Sequence, residues 1–222
     1  MPRNPPTVGS YPLVVTYTPA DTIYAIAYAM VTLVVNKATP VISWTPAAMT
    51  YGSALDKNQL TITVNNPNNG ASVAGSFAYT PTLVSLDTTP LTVGTHPLSV
   101  NFTPTDNTDY VPAAKTVVIT VNRAPSAIML YTWNPSADAG QNVTLTAVVL
   151  HLAAGIPSGA VQFSDGATVV ATMNLNANGN ASWSTSSPSV GTNVITATYA
   201  GDQNFIGSNG SFTQQIGPEV SR

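Results

Sequence analysis

The chain has 222 residues of which 44% are hydrophobic, enough to build real cores, which argues against a disordered chain despite 18 prolines. Charged residues make up only 7%, against a usual level of about 25%. The six cations, Arg3, Lys37, Lys57, Lys115, Arg123 and Arg222, are dispersed, which excludes a clustered nucleic-acid contact or docking on an anionic membrane, and the absence of cysteine excludes disulfides and thiolate metal sites.

In chain order, residues 1–6 have neither the charged nor the apolar region of a signal peptide, so an export signal is expected to lie outside this chain. Residues 23–35 form the most apolar stretch, too short for the roughly 20 residues that a membrane-spanning helix needs. It is read as a β-strand leading into Asn36 and Lys37. The middle of the chain shows strand-like runs at 40–44, 59–64, 75–79, 91–93, 97–102 and 116–121. Turn signals at 51–53, 65–70 and 106–109 separate them. The last part repeats the pattern at 143–149, 159–164, 169–175 and 181–184, ahead of a closing strand at 211–216. No window of adequate length has helical periodicity, and regularly spaced short strands indicate a sandwich.

Self-similarity organises these runs. Val8-Gly9, Val93-Gly94 and Val190-Gly191 each open an alternating strand. Each strand carries an aromatic (Tyr17, Phe102, Tyr199), then an Asp (Asp21, Asp106, Asp202), then a second aromatic (Tyr24, Tyr110, Phe205). In the middle copy Leu98, Val100 and Phe102 alternate with Ser99 and Asn101, the signature of a sheet with one wet face. The spacing is that of one sandwich domain of about 100 residues. The first two copies end alike, in Val35-Asn36-Lys37-Ala38 and Val121-Asn122-Arg123-Ala124, and Pro40 and Pro125 begin the next domain in each case. The expected division is a truncated two-strand repeat at 1–37, complete domains at 38–124 and 125–217, and a flexible tail at 218–222.

The middle domain, with residues 38–44, 50–55 and Phe102-Thr103-Pro104 through Asp106 to Asp109-Tyr110, resembles the MBG-type bacterial repeats. The last, with residues 134–136, 140–144, 157–163 and 198–205, resembles the related bacterial Ig-like repeats. The resemblance implies an all-β fold of tandem immunoglobulin-like antiparallel sandwiches, preceded here by an incomplete repeat. It implies a place at the cell surface or outside the cell, as spacer, stalk or adhesive module, with no general catalytic residues and no cofactor.

Residues 1–37 match only the two closing strands of a repeat. A lone two-stranded unit is marginal in water. Leaving about six of Leu13, Val15, Tyr17, Tyr24, Val31, Leu33 and Val35 uncovered would cost on the order of 10 kcal/mol. Leu13, Val15, Tyr17, Val31, Leu33 and Val35 are therefore the expected interface, with other copies of the chain or adjacent Ig-like repeats as partners. Three accounts stay open: a fragment of a longer tandem protein, a fibre subunit docking head to tail by strand addition, or a frayed end.

Catalytic constellations are lacking. His96 stands where the other copies have Tyr11 and Asn193, and His151 is the other histidine. A glycosidase needs two placed carboxylates, but Asp21 and Asp202 recur at the Asp106 position, which favours an Asp capping its own turn. Asp106 and Asp109, with Asn107, are weak calcium candidates, too few for a cation that takes six or more oxygens. Trp44, Trp133 and Trp183 are expected to pack in cores or between domains, with a sugar-stacking platform as the other reading. Function is expected to be non-enzymatic and structural or adhesive, with a carbohydrate- or protein-binding module as the alternative, cell-surface or glycan ligands as further partners, and no membrane insertion.

Overall fold

The computed structural model describes residues 6–80, 91–186 and 188–219. Arg3, Arg222 and most of the expected tail lie outside them. By contact the chain forms two compact units: Met1–Pro46, Leu60–Thr82 and Pro97–Val117 make the first, and Ala47–Gln59, Leu83–His96 and Val118–Arg222 make the second.

The described residues are all-β apart from one helical turn. β1 (Gly9–Tyr17) and β2 (Ala27–Val35) form a hairpin by themselves, antiparallel in the register Gly9 to Val35, Leu13 to Val31 and Tyr17 to Ala27. β3 (Val41–Trp44) pairs with β5 (Ile62–Asn65) in a two-stranded sheet. β4 (Met49–Thr50), β8 (Ala113–Asn122), β7 (Gly94–Pro104) and β6 (Gly75–Thr80) form a second sheet in that order. β9 (Ser126–Thr132), β11 (Val143–His151) and β14 (Asn180–Thr185) form a third, ordered β14-β11-β9. The largest sheet has the order β10-β16-β15-β12-β13, built from β10 (Ser136–Asp138), β16 (Ile206–Gly217), β15 (Gly191–Gly201), β12 (Ala160–Asp165) and β13 (Thr168–Asn174).

The expected repetition is visible in this topology. The order β4-β8-β7-β6 reproduces β10-β16-β15-β12, including a short first strand that runs parallel to its neighbour in both. The antiparallel pair β3-β5 likewise corresponds to β9-β11. The Val-Gly step that opens each copy has a conformational reason. Gly9, Gly94 and Gly191 have φ of 153°, 131° and 117°, where a Cβ is disfavoured, and each is the first residue of its strand.

Alternation places the cores. In the first unit Ile42, Trp44, Val64, Leu98, Val100 and Phe102 are buried. In the second, Val143, Leu145, Ala147, Val149, Val161, Phe163, Ile195, Ala197 and Tyr199 lead one contiguous cluster. Each buried large side chain contributes about 1.5–3 kcal/mol.

Two expectations on local structure need correction. The strand expected from 59 begins at Ile62, because Lys57–Leu60 is the helical turn α1. Asp56 caps it: its Oδ1 accepts from Asn58 N at 2.7 Å, while Gln59 Oε1 accepts from Asp56 N at 3.0 Å, a reciprocal capping box. The strand expected at 91–93 is also absent, because β7 starts only at Gly94, the glycine whose positive φ turns the chain into the strand.

Candidate functional site

The candidate interface is the face of the β1–β2 hairpin. Side chains alternate across a strand, and the register aligns odd-numbered positions of the two strands. Tyr11, Leu13, Val15, Tyr17, Val31, Leu33 and Val35 therefore share one face, and the structure brings the six expected interface residues together on it. Leu13, Val15, Tyr17 and Val31 are 47%, 65%, 66% and 60% exposed. The matching Leu98, Val100 and Phe102 of β7 are at 4%, 0% and 1%. Neither strand of the hairpin carries a charge. The face thus has the chemistry of a sandwich interior and the exposure of a surface.

The linker after the hairpin is fixed to the repeat it enters. Ala38 N donates to the Asp109 carbonyl at 2.8 Å, and Val111 N donates to the Ala38 carbonyl at 3.0 Å. The same pair recurs one repeat on, where Ala124 N donates to Asn204 O and Ile206 N to Ala124 O, both at 2.8 Å. Ala38–Tyr110 and Ala124–Phe205 are accordingly parallel bridges. Sequence reasoning saw the Val-Asn-(Lys/Arg)-Ala tails but not this ladder. Its signal was the recurrence of alanine opposite the second aromatic.

The recurrent aspartates act alike. Asp21 Oδ1 accepts from Ile23 N at 3.1 Å. Asp106 Oδ1 accepts from Thr108 N at 2.9 Å and Asp109 N at 3.1 Å. Asp202 Oδ1 accepts from Asn204 N at 2.7 Å and Phe205 N at 2.8 Å, while its Oδ2 accepts from Ser158 N and Ser158 Oγ. Burial on its own would raise the Asp202 pKa, but these backbone and hydroxyl donors more than offset it and hold the carboxyl below its ordinary value. The Tyr199 hydroxyl, buried without a hydrogen-bond partner, has its pKa pushed up by burial first and by the Asp202 charge second.

The weak calcium candidates Asp106 and Asp109 share one turn. Asp106 Oδ1 is engaged by its own turn, and among the described residues no group of three or more His, Cys, Asp or Glu side chains could hold a metal ion. Asp109 Oδ1 is buried without a partner. His96 donates from Nε2 to the Thr92 carbonyl at 2.7 Å, and His151 from Nδ1 to that of Ala153 at 2.9 Å, so each is tied to its own loop.

The tryptophans divide. Trp44 is 5% exposed and meets Tyr79 edge-on at 5.9 Å. Trp183 is half-buried against Phe163. Trp133 departs from the packing expectation: it lies just past the end of β9, is 91% exposed and meets Tyr131 edge-on at 5.7 Å.

Among solved structures, the fibronectin(III)-like modules of Clostridium thermocellum CbhA are similar at 16% identity, over 82% of this chain and 98% of theirs, with a TM-score of 0.36. The Yersinia pseudotuberculosis adhesin InvE aligns at 18% identity over 80% of this chain and 58% of its own, with a TM-score of 0.30. FdeC, an Escherichia coli adhesin, aligns at 14% identity over 85% and 68%, with a TM-score of 0.33. No curated protein matches the sequence. Residues 131–217, which contain most of the last sandwich, match the family model of the bacterial Ig-like domain (group 3).

Proposed function

We propose that this chain is a non-enzymatic structural or adhesive segment of a bacterial surface or secreted protein, with Ig-like repeats at 38–124 and 125–217. The hairpin of residues 1–37 is completed, head to tail, by strands of another copy. The observation that carries this reading is the mismatch of exposure at matched positions: Leu13, Val15 and Tyr17 stand open where Leu98, Val100 and Phe102 are buried. A face of this composition is stable only when a second sheet covers it. Its lack of charge lets another copy approach without a desolvated ion to repel it.

The match of residues 131–217 to a bacterial Ig-like domain supports the repeat architecture. Among the described residues, no helix is long and apolar enough to cross a membrane. A head-to-tail contact joins two different surfaces, so it propagates instead of closing. Electron microscopy and light scattering of the full chain, with and without residues 1–37, test the proposal. Filaments or concentration-dependent oligomers that vanish on deletion are expected. A full chain that stays monomeric, or assembly that survives the deletion, overturns the fibre.

A further inference from the structure

Inside the second unit, the turn at 50–53 that ends β4 is seated on the loop at 152–155 that follows β11. Ser53 N donates to the Thr50 carbonyl at 3.0 Å, closing the turn, and Tyr51 N donates to the Asn122 carbonyl at 2.8 Å, tying it to the end of β8. The Tyr51 ring meets Phe205 edge-on with centroids 5.8 Å apart, and the His151 ring meets the same Phe205 at 5.2 Å. Tyr51 and Ala153 both pack against the buried cluster of the last sandwich.

The last sandwich contains the same turn. Gln141 N donates to the Asp138 carbonyl at 3.1 Å and Ala139 N to the Gly217 carbonyl at 3.0 Å, so Ala139 and Gly140 stand where Tyr51 and Gly52 do. Both turns follow a short strand that runs parallel to the closing strand. Gly52 and Gly140 have φ of 78° and 81°, the left-handed value that the third position of such a turn requires. Their surroundings differ. A Cβ added at Gly140 would meet no described atom within 4 Å, whereas at Gly52 it would lie 2.6 Å from Ala154 N and 2.9 Å from Ala153 Cβ.

The receiving loop shows the same contrast. Val41 and Ala127, each three residues past Ala38 and Ala124, pair with Asn65 and Leu150, and five residues beyond those stand Gly70 and Gly155. Their φ values are 71° and 89°. A Cβ at Gly70 would meet no described atom within 4 Å, but at Gly155 it would lie 3.1 Å from the Tyr51 hydroxyl oxygen. Backbone conformation accounts for glycine at all four positions. Only at Gly52 and Gly155 does the missing Cβ also let two loops touch.

The turn belongs to the repeat at 38–124 and the loop to the repeat at 125–217. The linker at 122–125 is already held to the last sandwich by the Ala124 ladder. A linker anchored along one line can still swing about it, and a second contact off that line removes the freedom. We propose that the turn at 50–53 is an interlock for a following Ig-like repeat: Tyr51 and Gly52 clamp the loop at 152–155 and keep the linker at 122–125 from hinging. The partner it fits is a repeat with an aromatic at the Phe205 position and a glycine at the Gly155 position. The inference rests on the division into repeats at 38–124 and 125–217, and not on what completes the hairpin.

Because the chain has no cysteine, nitroxide labels can be placed through Thr120→Cys on β8 and Thr172→Cys on β13, both exposed positions. Double electron–electron resonance then gives the distribution of distances between them. An excess of unlabelled chain removes distances between copies, so the readout is the same whether or not the chain assembles. One narrow distribution is expected for the parent. Tyr51→Ala and Gly52→Ala are each expected to widen it about twofold or more, as a freed linker samples a range of angles. Gly140→Ala, which carries the same φ strain without the contact, is expected to leave the width unchanged. A parental width in both Tyr51→Ala and Gly52→Ala overturns the interlock. Equal widening in Gly140→Ala also overturns it, because turn strain would then be the cause. So does widening that comes only with loss of the native circular dichroism, which would report unfolding instead of hinging.

Discussion

Leu13 and Leu98 occupy the same position of the same strand in two copies of one repeat, yet Leu13 is 47% exposed and Leu98 is 4% exposed. The two leucines therefore report different things when truncated. Leu98→Ala opens a cavity in a packed core and is expected to cost about 2–5 kcal/mol in urea unfolding. Leu13→Ala removes little that is buried in the single chain and is expected to change its stability by less than about 0.5 kcal/mol. Its effect belongs to assembly, where oligomers seen by light scattering should weaken. Equal costs for the two substitutions in a monomer would show that the hairpin face is already covered.

Asp202 ties two segments through one carboxylate: Asn204 and Phe205 on its own turn, and Ser158 ahead of the neighbouring strand β12. Asp202→Ala leaves those donors unpaired and is expected to cost about 2 kcal/mol, since hydrogen bonds to a charged group contribute about 1.5–3 kcal/mol each and water recovers part of them. Asp106→Ala, which releases two donors of one exposed turn, is expected to cost less. Thermal melts of the two variants side by side check the order, and a larger loss for Asp106→Ala refutes it.

The same carboxylate gives a pH dependence with a defined sign. The Asp202 pKa is lower in the folded chain than its ordinary value of 3.8. The unfolded chain therefore binds its proton first, and the stabilisation is complete above that value and is lost as pH falls through the folded pKa. Acid titration of the Tm should show a drop below about pH 4. In Asp202→Asn that drop should be shallower, and an unchanged profile would assign the acid sensitivity to other carboxylates.

The share of the fold and site legible in the sequence depends on which forces act locally. The Val-Gly step, the alternation of Leu98, Val100 and Phe102, and the recurrent Asp are all written within a dozen residues, and they located the repeats, the buried face and the turns. The α1 turn was also written locally, in the Asp56-x-x-Gln59 box, but the apolar run after it masked the signal. The exposure of Trp133 was not legible, because burial depends on tertiary neighbours that composition does not reveal. The Ala38 ladder was beyond reach: nothing in the spacing of Ala38, Asp109 and Val111 announces that their backbones pair.

The contact between β6 and β7 offers a test of how closely two strands depend on one glycine. An added Cβ at Gly75 would lie 2.4 Å from both Phe102 Cζ and the Thr103 carbonyl oxygen. Gly75 is not among the positive-φ glycines, so the constraint is space and not backbone conformation. The ring of Phe102 is 1% exposed, and the Thr103 carbonyl cannot move without disturbing the Ser76–Thr103 pairing. Gly75→Ala is expected to destabilise by about 1–3 kcal/mol through overpacking. Trimming the ring relieves only one of the two clashes, so Phe102→Leu should fail to rescue Gly75→Ala in a double-mutant cycle. Gly70 gives the opposite case, with φ of 71° and open space around its Cβ position. There Gly70→Asn, which tolerates the left-handed region, should be nearly neutral, whereas Gly70→Val should cost about 1–2 kcal/mol. Urea unfolding of the five variants, the Gly75→Ala/Phe102→Leu double mutant included, separates the mechanisms, and rescue of Gly75→Ala by Phe102→Leu would show that the ring, not the strand backbone, sets the limit.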